Sequence, residues 1–247
     1  MIRNHILQNL SPGDRVLLSG LEPVDLPLRF CMQIADRPIQ HVYFLEDGLA
    51  SVVAHGGRDE SVEVGLIGYD GMSGCCVLLD TDRSPNSIHM QVAGSGLRIA
   101  TLKLLAAVQQ SPTLDTALRR FVQALHTQSS QTALANGRAT IEERLARWLL
   151  MAHDRLQTSH IALTHEFLSV MLGVRRPGVS VAMQKLENKN VITAQRNAIR
   201  IKDRAGLETV AHCFYGVAEA EQERLTGWRP HHLPSRVSAM RYVSLQK

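Results

Sequence analysis

The stretch Thr164–Glu187, THEFLSVMLGVRRPGVSVAMQKLE, decides how the rest of this 247-residue chain is read. Leu168, Met171 and Leu172 recur at helical spacing, and Thr164 stands where a hydroxyl caps a first turn. Gly173 follows, a residue that takes positive φ at almost no cost, so the chain reverses at Leu172-Gly173-Val174. Val179, Met183 and Leu186 then form the inner face of a second helix. Two short helices joined by such a turn make a helix-turn-helix pattern, whose second helix enters the DNA major groove. Its outward side starts at Arg175-Arg176 and carries Ser180, Gln184 and Lys185, with Thr164 and His165 opening the first helix. On these residues alone an ordinary helical hairpin in a core is the alternative.

Charge favours the first reading. Residues 1–110 hold 8 Lys+Arg against 12 Asp+Glu, and residues 111–247 hold 19 against 11, so a nearly neutral total of +4 conceals an acidic front and a basic back. Between Arg175 and Arg204 eight basic residues face two acidic ones. A basic segment focused on one motif is the footprint of phosphate binding.

The flanks extend the pattern. Val191-Ile192-Thr193 and Ala198-Ile199-Arg200-Ile201 predict a hairpin after the motif, a wing whose tip residue Arg196 is placed to contact a phosphate. Arg204 to Leu225 predicts one further helix, and Thr226–Lys247, poor in apolar residues, is expected to be disordered. Before the motif, Thr140-Ile-Glu-Glu143 matches a capping box and starts a helix to about Leu156. Earlier still, Pro112 opens a long helix in which Leu114, Leu118, Phe121, Leu125, Gln128, Thr132 and Ala135 follow a 4-3-4-3 spacing. That spacing fits the seam of a dimer and equally a face turned to the core. A stop is expected at Asn136-Gly137.

From Val16 to Leu102 short apolar runs alternate with Gly, Asp, Pro and Ser, and Glu46-Asp47-Gly48 reads as a hairpin turn. Strands at this spacing predict a β-roll, preceded by a short helix and turn over Ile2–Asp14. Cys31, Cys75, Cys76 and Cys213 have no zinc or iron–sulfur spacing and read as reduced packing thiols. With no apolar run of membrane length and no signal-peptide core, a cytoplasmic chain with no membrane partner is expected.

With these parts in order, the chain resembles the catabolite-activator (Crp–Fnr) family of bacterial transcription regulators over about residues 5–225. The strings ERLARWLLMAHDRL (143–156) and LTHEFLSVMLGVRRPGVSVAMQKLE (163–187) carry the likeness. The resemblance implies an α+β fold: a jelly-roll, cyclic-nucleotide-binding-like sensor (1–110), a dimerisation helix (111–138) and a winged helix-turn-helix (139–225), with 226–247 as tail. It implies a homodimer on double-stranded DNA, without catalytic activity, its recognition helices about 34 Å apart in successive major grooves. RNA polymerase is a further candidate partner. Leu114, Leu118, Phe121 and Leu125 would form the dimer interface.

Arg176 matches a family Arg that pairs with guanine, whose O6 and N7 suit a guanidinium. Pro177 stands where the family often has Glu, and Val181 where it has a second Arg, so Val181 offers only an apolar contact such as a thymine methyl. The family's consensus site does not transfer. The sensor departs further. Cyclic-nucleotide binders resemble a Gly-Glu pair followed by Arg-Ser/Thr-Ala. Here Tyr69 replaces the Glu and Asn86 the Arg, which argues against cyclic AMP because the phosphate loses its cation. A residual pocket over Gly68, Tyr69, Asp70, Gly71, Arg83, Asn86 and Ser87 is left for another effector, or as a structural remnant. No Cys precedes residue 31 and the His residues are scattered, so neither cofactor nor metal is expected. An enzyme using Cys75 or Cys76 as nucleophile lacks a partner base in the local motif, and Ser73-Gly74 has no nucleophile-elbow context.

Overall fold

The computed structural model describes residues 2–57, 60–163, 165–195 and 198–230, with the backbone alone at His165 and Glu166. Two helices, α1 (His5–Gln8) and α2 (Pro12–Leu17), open the chain. They separate at Ser11, whose hydroxyl accepts from the Asp14 amide and starts the second helix with Pro12 in its first turn. Strands β1 (Glu22–Leu26), β2 (Cys31–Gln33), β3 (His41–Leu45), β4 (Leu49–His55), β5 (Ser61–Ile67), β6 (Ser87–Val92) and β7 (Gly94–Ala100) follow. They form two antiparallel sheets in the orders β1-β7-β3 and β2-β6-β4-β5. The Asp47-Gly48 turn joins β3 to β4, with Gly48 at φ +84° and its amide held by Asp47 Oδ1 at 2.8 Å. Val42, Phe44, Ile67, Met72, Ile88, Met90 and Ile99 fill the core of this β-roll.

Helix α3 (Thr101–Gln110), which the sequence pattern did not reveal, leads into α4 (Pro112–Arg138), 27 residues long and capped by Ser111. The expected stop at Asn136-Gly137 lies inside α4. The helix ends at Ala139, where the chain turns extended to enter the Thr140–Glu143 capping box of α5 (Ile141–Leu156).

The apolar seam of α4 is not open for a partner. Leu114, Leu118 and Phe121 are buried in the β-roll core, and Leu125 packs against it. Phe121 lies so close to Gly71 that an added Cβ would come within 2.2 Å of its ring. Gln128 Oε1 accepts the Leu66 amide at 2.6 Å and its Nε2 donates to Leu66 O at 3.2 Å, so one side chain satisfies two backbone groups on the edge of β5. Of the four positions assigned to a dimer interface, Leu114, Leu118 and Phe121 therefore belong to the chain's own core, and Leu125, half-buried, borders it. A 4-3-4-3 spacing reports an apolar stripe, and the β-roll covers it first.

Strand β8 (His160–Ala162), helices α6 (His165–Leu172) and α7 (Arg176–Asn188), and strands β9 (Ile192–Gln195) and β10 (Ala198–Ile201) complete the next unit. The predicted wing gains β8 as a third strand, in the order β8-β10-β9. The single helix expected over 204–225 is two, α8 (Arg204–Ala211) and α9 (Val217–Thr226), parted where Gly216 adopts φ +108°. The tail does not begin at Thr226: Trp228 is 1% exposed, its ring against Tyr69 with centroids 6.1 Å apart. The remainder of the expected tail, residues 231–247, lies outside the described residues.

The N- and C-terminal halves share a core. Leu49 and Leu66 of the β-roll cluster with Leu145, Trp148 and Leu149 of α5 and with Leu168 and Met171 of α6. No helix of the described residues is long and apolar enough to cross a membrane.

Candidate nucleic-acid interface

Helix α7 is held by its inner residues and leaves its other side open. Val179, Ala182, Met183 and Leu186 are buried against α5 and α6. Gly173 sits in the turn at φ +57°, and Val174 N–H donates to Ser169 O at 3.0 Å, closing the corner between the helices. The Arg144 guanidinium donates to Leu172 O, tying that corner to α5. Gly178 lets α7 approach α5, since a Cβ there would stand 3.2 Å from Ile141.

Arg175, Arg176, Pro177, Ser180, Val181, Gln184 and Lys185 are all exposed, so the structure brings these seven predicted residues onto one surface. Arg175 occupies the cap position with extended backbone and no side-chain hydrogen bond to the first turn. The amide end of a helix with such a start attracts anions, and two guanidinium groups flank it here. Ser180 Oγ donates to Arg176 O at 3.3 Å, and Gln184 Nε2 to Asn188 Oδ1 at 3.1 Å. Glu187 Oε1 accepts the Ala194 amide at 2.7 Å, which holds β9 against the end of α7. Thr164 and Arg196 lie outside the described residues, and of His165 only the backbone, opening α6, is described.

The sensor residues form no comparable surface. Asp70 is fully buried, its Oδ2 receiving Arg155 Nη2 at 3.0 Å and Gln222 Nε2 at 2.7 Å, while Oδ1 takes the Gly68 amide at 2.8 Å. Arg155 also lies over the Trp228 ring at 5.2 Å and fills the space beside Gly68. Tyr69 is buried under Trp228. The second element is elsewhere. The Gly68–Gly71 turn leaves β5 where Ile67 pairs with Ala50, whereas Ser87 pairs with Val53, about 10 Å further along β4. Arg83 is exposed and paired with Asp82 at 2.8 Å. The Asn86 carbonyl accepts from Gln33 Nε2. Ser87 Oγ bridges His55 Nε2 at 2.7 Å and His89 Nε2 at 2.8 Å. The seven residues assigned to one pocket thus divide between two places, and α5 and α9 of the same chain occupy the first.

Two buried carboxyl groups escaped the sequence. Glu63 of β5 receives Trp148 Nε1 at 2.8 Å and the Ser51 hydroxyl, and burial pushes its pKa up to about 8. Asp154 of α5 pairs with Arg204 at 2.8 Å and accepts from Tyr215, with burial raising it to about 6. For Asp154 the one visible signal was charge at the end of the apolar α5 string, and for Glu63 there was none. Desolvation pushes the Cys75 thiol up to about 12 and raises Cys76, which keeps both protonated and poor nucleophiles. Among the described residues there is no group of three or more His, Cys, Asp or Glu able to hold a metal ion.

Comparison with known proteins agrees with this arrangement. Residues 143–210 match the model of the Crp-like helix-turn-helix domain. FixK2 from Bradyrhizobium japonicum superposes with a TM-score of 0.68 at 17% identity, covering 78% of this chain and 98% of that one. A transcriptional regulator of the CRP family from Thermus thermophilus gives 0.63 at 15% identity over 76% and 96%. The c-di-GMP responsive global regulator CLP of Xanthomonas campestris gives 0.62 at 16% identity over 77% and 99%. No curated protein sequence matches the chain.

Proposed function

We propose that this chain, whose residues 143–210 match the Crp-like helix-turn-helix domain, is a regulator of the Crp/Fnr type that binds a two-fold DNA site as a homodimer, with α7 of each protomer in the major groove. The observation that carries this is the exposed Arg175–Lys185 face, which joins a helix start suited to anions to side chains with groups able to hydrogen-bond base edges. Arg176 reads a guanine through O6 and N7, and Arg175, Lys185 and Arg196 act on phosphates. The protomers meet along the outward side of α4, where Ser130, Ala133, Leu134 and Gly137 are exposed one helical turn apart. The dimer works in the cytoplasm and acts on transcription through contact with RNA polymerase.

The effector is not cyclic AMP in this reading. A nucleotide phosphate needs a cation, and Arg155, the cation nearest the first cassette element, is already engaged by Asp70. The alternative is a nucleotide-binding regulatory protein acting through protein partners. It would require Trp228, Arg155 and Gln222 to leave the cassette turn.

The test is selection of bound sites from random duplexes, followed by titration of the parent and Arg176→Ala on the selected site. Affinity should fall by about 1–3 kcal/mol and base preference relax at one position per half-site. Undiminished binding by the variant would remove Arg176 from the reading role.

A further inference from the structure

The outward face of α7 is not uniformly polar. Among its exposed residues Val181 leaves 57% of its surface open, and Pro177, one turn before it, is exposed as well. Residues four apart lie one above the other on a helix, so the two form a small apolar strip. Burial cannot account for Val181, and a β-branched residue is a weaker helix former than the alanine that would serve on a bare surface. The polar groups on either side are drawn back to the helix itself, Ser180 Oγ to Arg176 O and Gln184 Nε2 to Asn188 Oδ1. The strip is therefore what stands forward in the middle of the face.

In the major groove the apolar feature of a base pair is the C5-methyl group of thymine. Val181 lies five positions beyond Arg176, about 7.5 Å along the helix at 1.5 Å per residue. That is about two base steps of 3.4 Å. We infer that Val181, supported by Pro177, reads the C5-methyl group of a pyrimidine about two base pairs from the base pair contacted by Arg176. Thymine satisfies the strip, 5-methylcytosine can stand in for it, and unmethylated pyrimidines cannot. The inference rests on the reading of α7 as the recognition helix.

The experiment uses the full chain and a site selected from random duplexes. Selection with Arg176→Ala locates the guanine as the position whose preference is lost. Each thymine is then replaced in turn by deoxyuridine, which removes the methyl group alone. At one thymine per half-site, about two base pairs from that guanine, binding should weaken about fourfold for one buried methyl group. Val181→Ala, a substitution on an exposed helix surface, should bind the thymine and deoxyuridine duplexes alike at that position. A cytosine placed there should regain about the same factor when it carries a 5-methyl group. Deoxyuridine without effect at every position, or a thymine preference that persists in Val181→Ala, would overturn the assignment of Val181. A chain that enriches no site would instead overturn the reading of α7, and this inference with it.

Discussion

The Gly68–Gly71 turn of the β-roll and the Leu172–Val174 turn of the helix-turn-helix each present glycine beside polar or charged residues, and the structure treats them in opposite ways. At the first, Asp70 and Tyr69 face inward and are held by Arg155, Gln222 and Trp228 from helices α5, α9 and the segment after it. At the second, the inward positions are apolar and the arginines that follow face outward. A buried charge must be paired, which makes it a structural element of the fold. An exposed charge contributes little to folding and is left to act on a partner. The likeness of the first turn to a nucleotide cassette is thus a likeness of sequence position, while its side chains join the two halves of the molecule.

The sharpest way to break that contrast is to compare stability across the two turns. Asp70→Ala leaves Arg155 buried without its carboxylate, both side chains being 1% exposed in the parent. Urea unfolding should show a loss of about 3–5 kcal/mol. Arg176→Ala should stay within about 0.5 kcal/mol of the parent, as exposed substitutions do. If the two variants lost similar stability, the division between a turn built into the fold and a turn followed by exposed arginines would not hold.

A second test concerns pH at the same junction. Glu63 faces Ser51, Trp148, Arg147 and Arg155, and burial outweighs their opposing effect to raise its pKa from 4.5 to about 8. The folded chain therefore keeps a proton that the unfolded chain releases above about pH 4.5. The stabilisation is fully present below that value, declines as pH rises, and is exhausted above about 8. Asp154 behaves alike in a lower window, from 3.8 to about 6, so it adds nothing across the interval from about 6 to 8, where Glu63 still titrates. Across it the parent should lose about 2–3 kcal/mol at roughly 1.4 kcal/mol per unit. Glu63→Gln, which has no titrating carboxyl group, should lose far less over that interval in urea midpoints read at successive pH values. An unchanged slope in the variant would take Glu63 out of the junction's proton balance.

Local chemistry explains which parts were legible. The helix-turn-helix, the Asp47-Gly48 turn and the Thr140 capping box each depend on residues a few positions apart, and each stands where the sequence places it. The Asp70–Arg155 and Glu63–Trp148 pairs join residues far apart in the chain, and nothing near either member announces the other. Trp228 stands alone in a polar stretch, so composition assigned it to a tail although Tyr69 and Arg155 supply its pocket. Periodicity along α4 identified the apolar stripe and left its partner open between a second chain and the core of its own, which the β-roll supplies. A period says which residues share a face and is silent about whose surface that face meets.

Gln128 offers the finest test of that last distinction. Placed in a dimer seam, a glutamine would pair across to its counterpart, and its loss would alter self-association. Placed as the structure has it, the amide pairs with both backbone groups of Leu66 and closes the free edge of β5 beside α4. Gln128→Ala then leaves a buried amide and carbonyl short of partners, an effect of about 1–3 kcal/mol. Because these bonds lie within one chain, the loss should be the same at every protein concentration, and the Leu66 amide should exchange its hydrogen faster. A loss that grew on dilution, with Leu66 exchange unchanged, would return Gln128 to the dimer interface and reopen the stripe of α4 as a surface for a second chain.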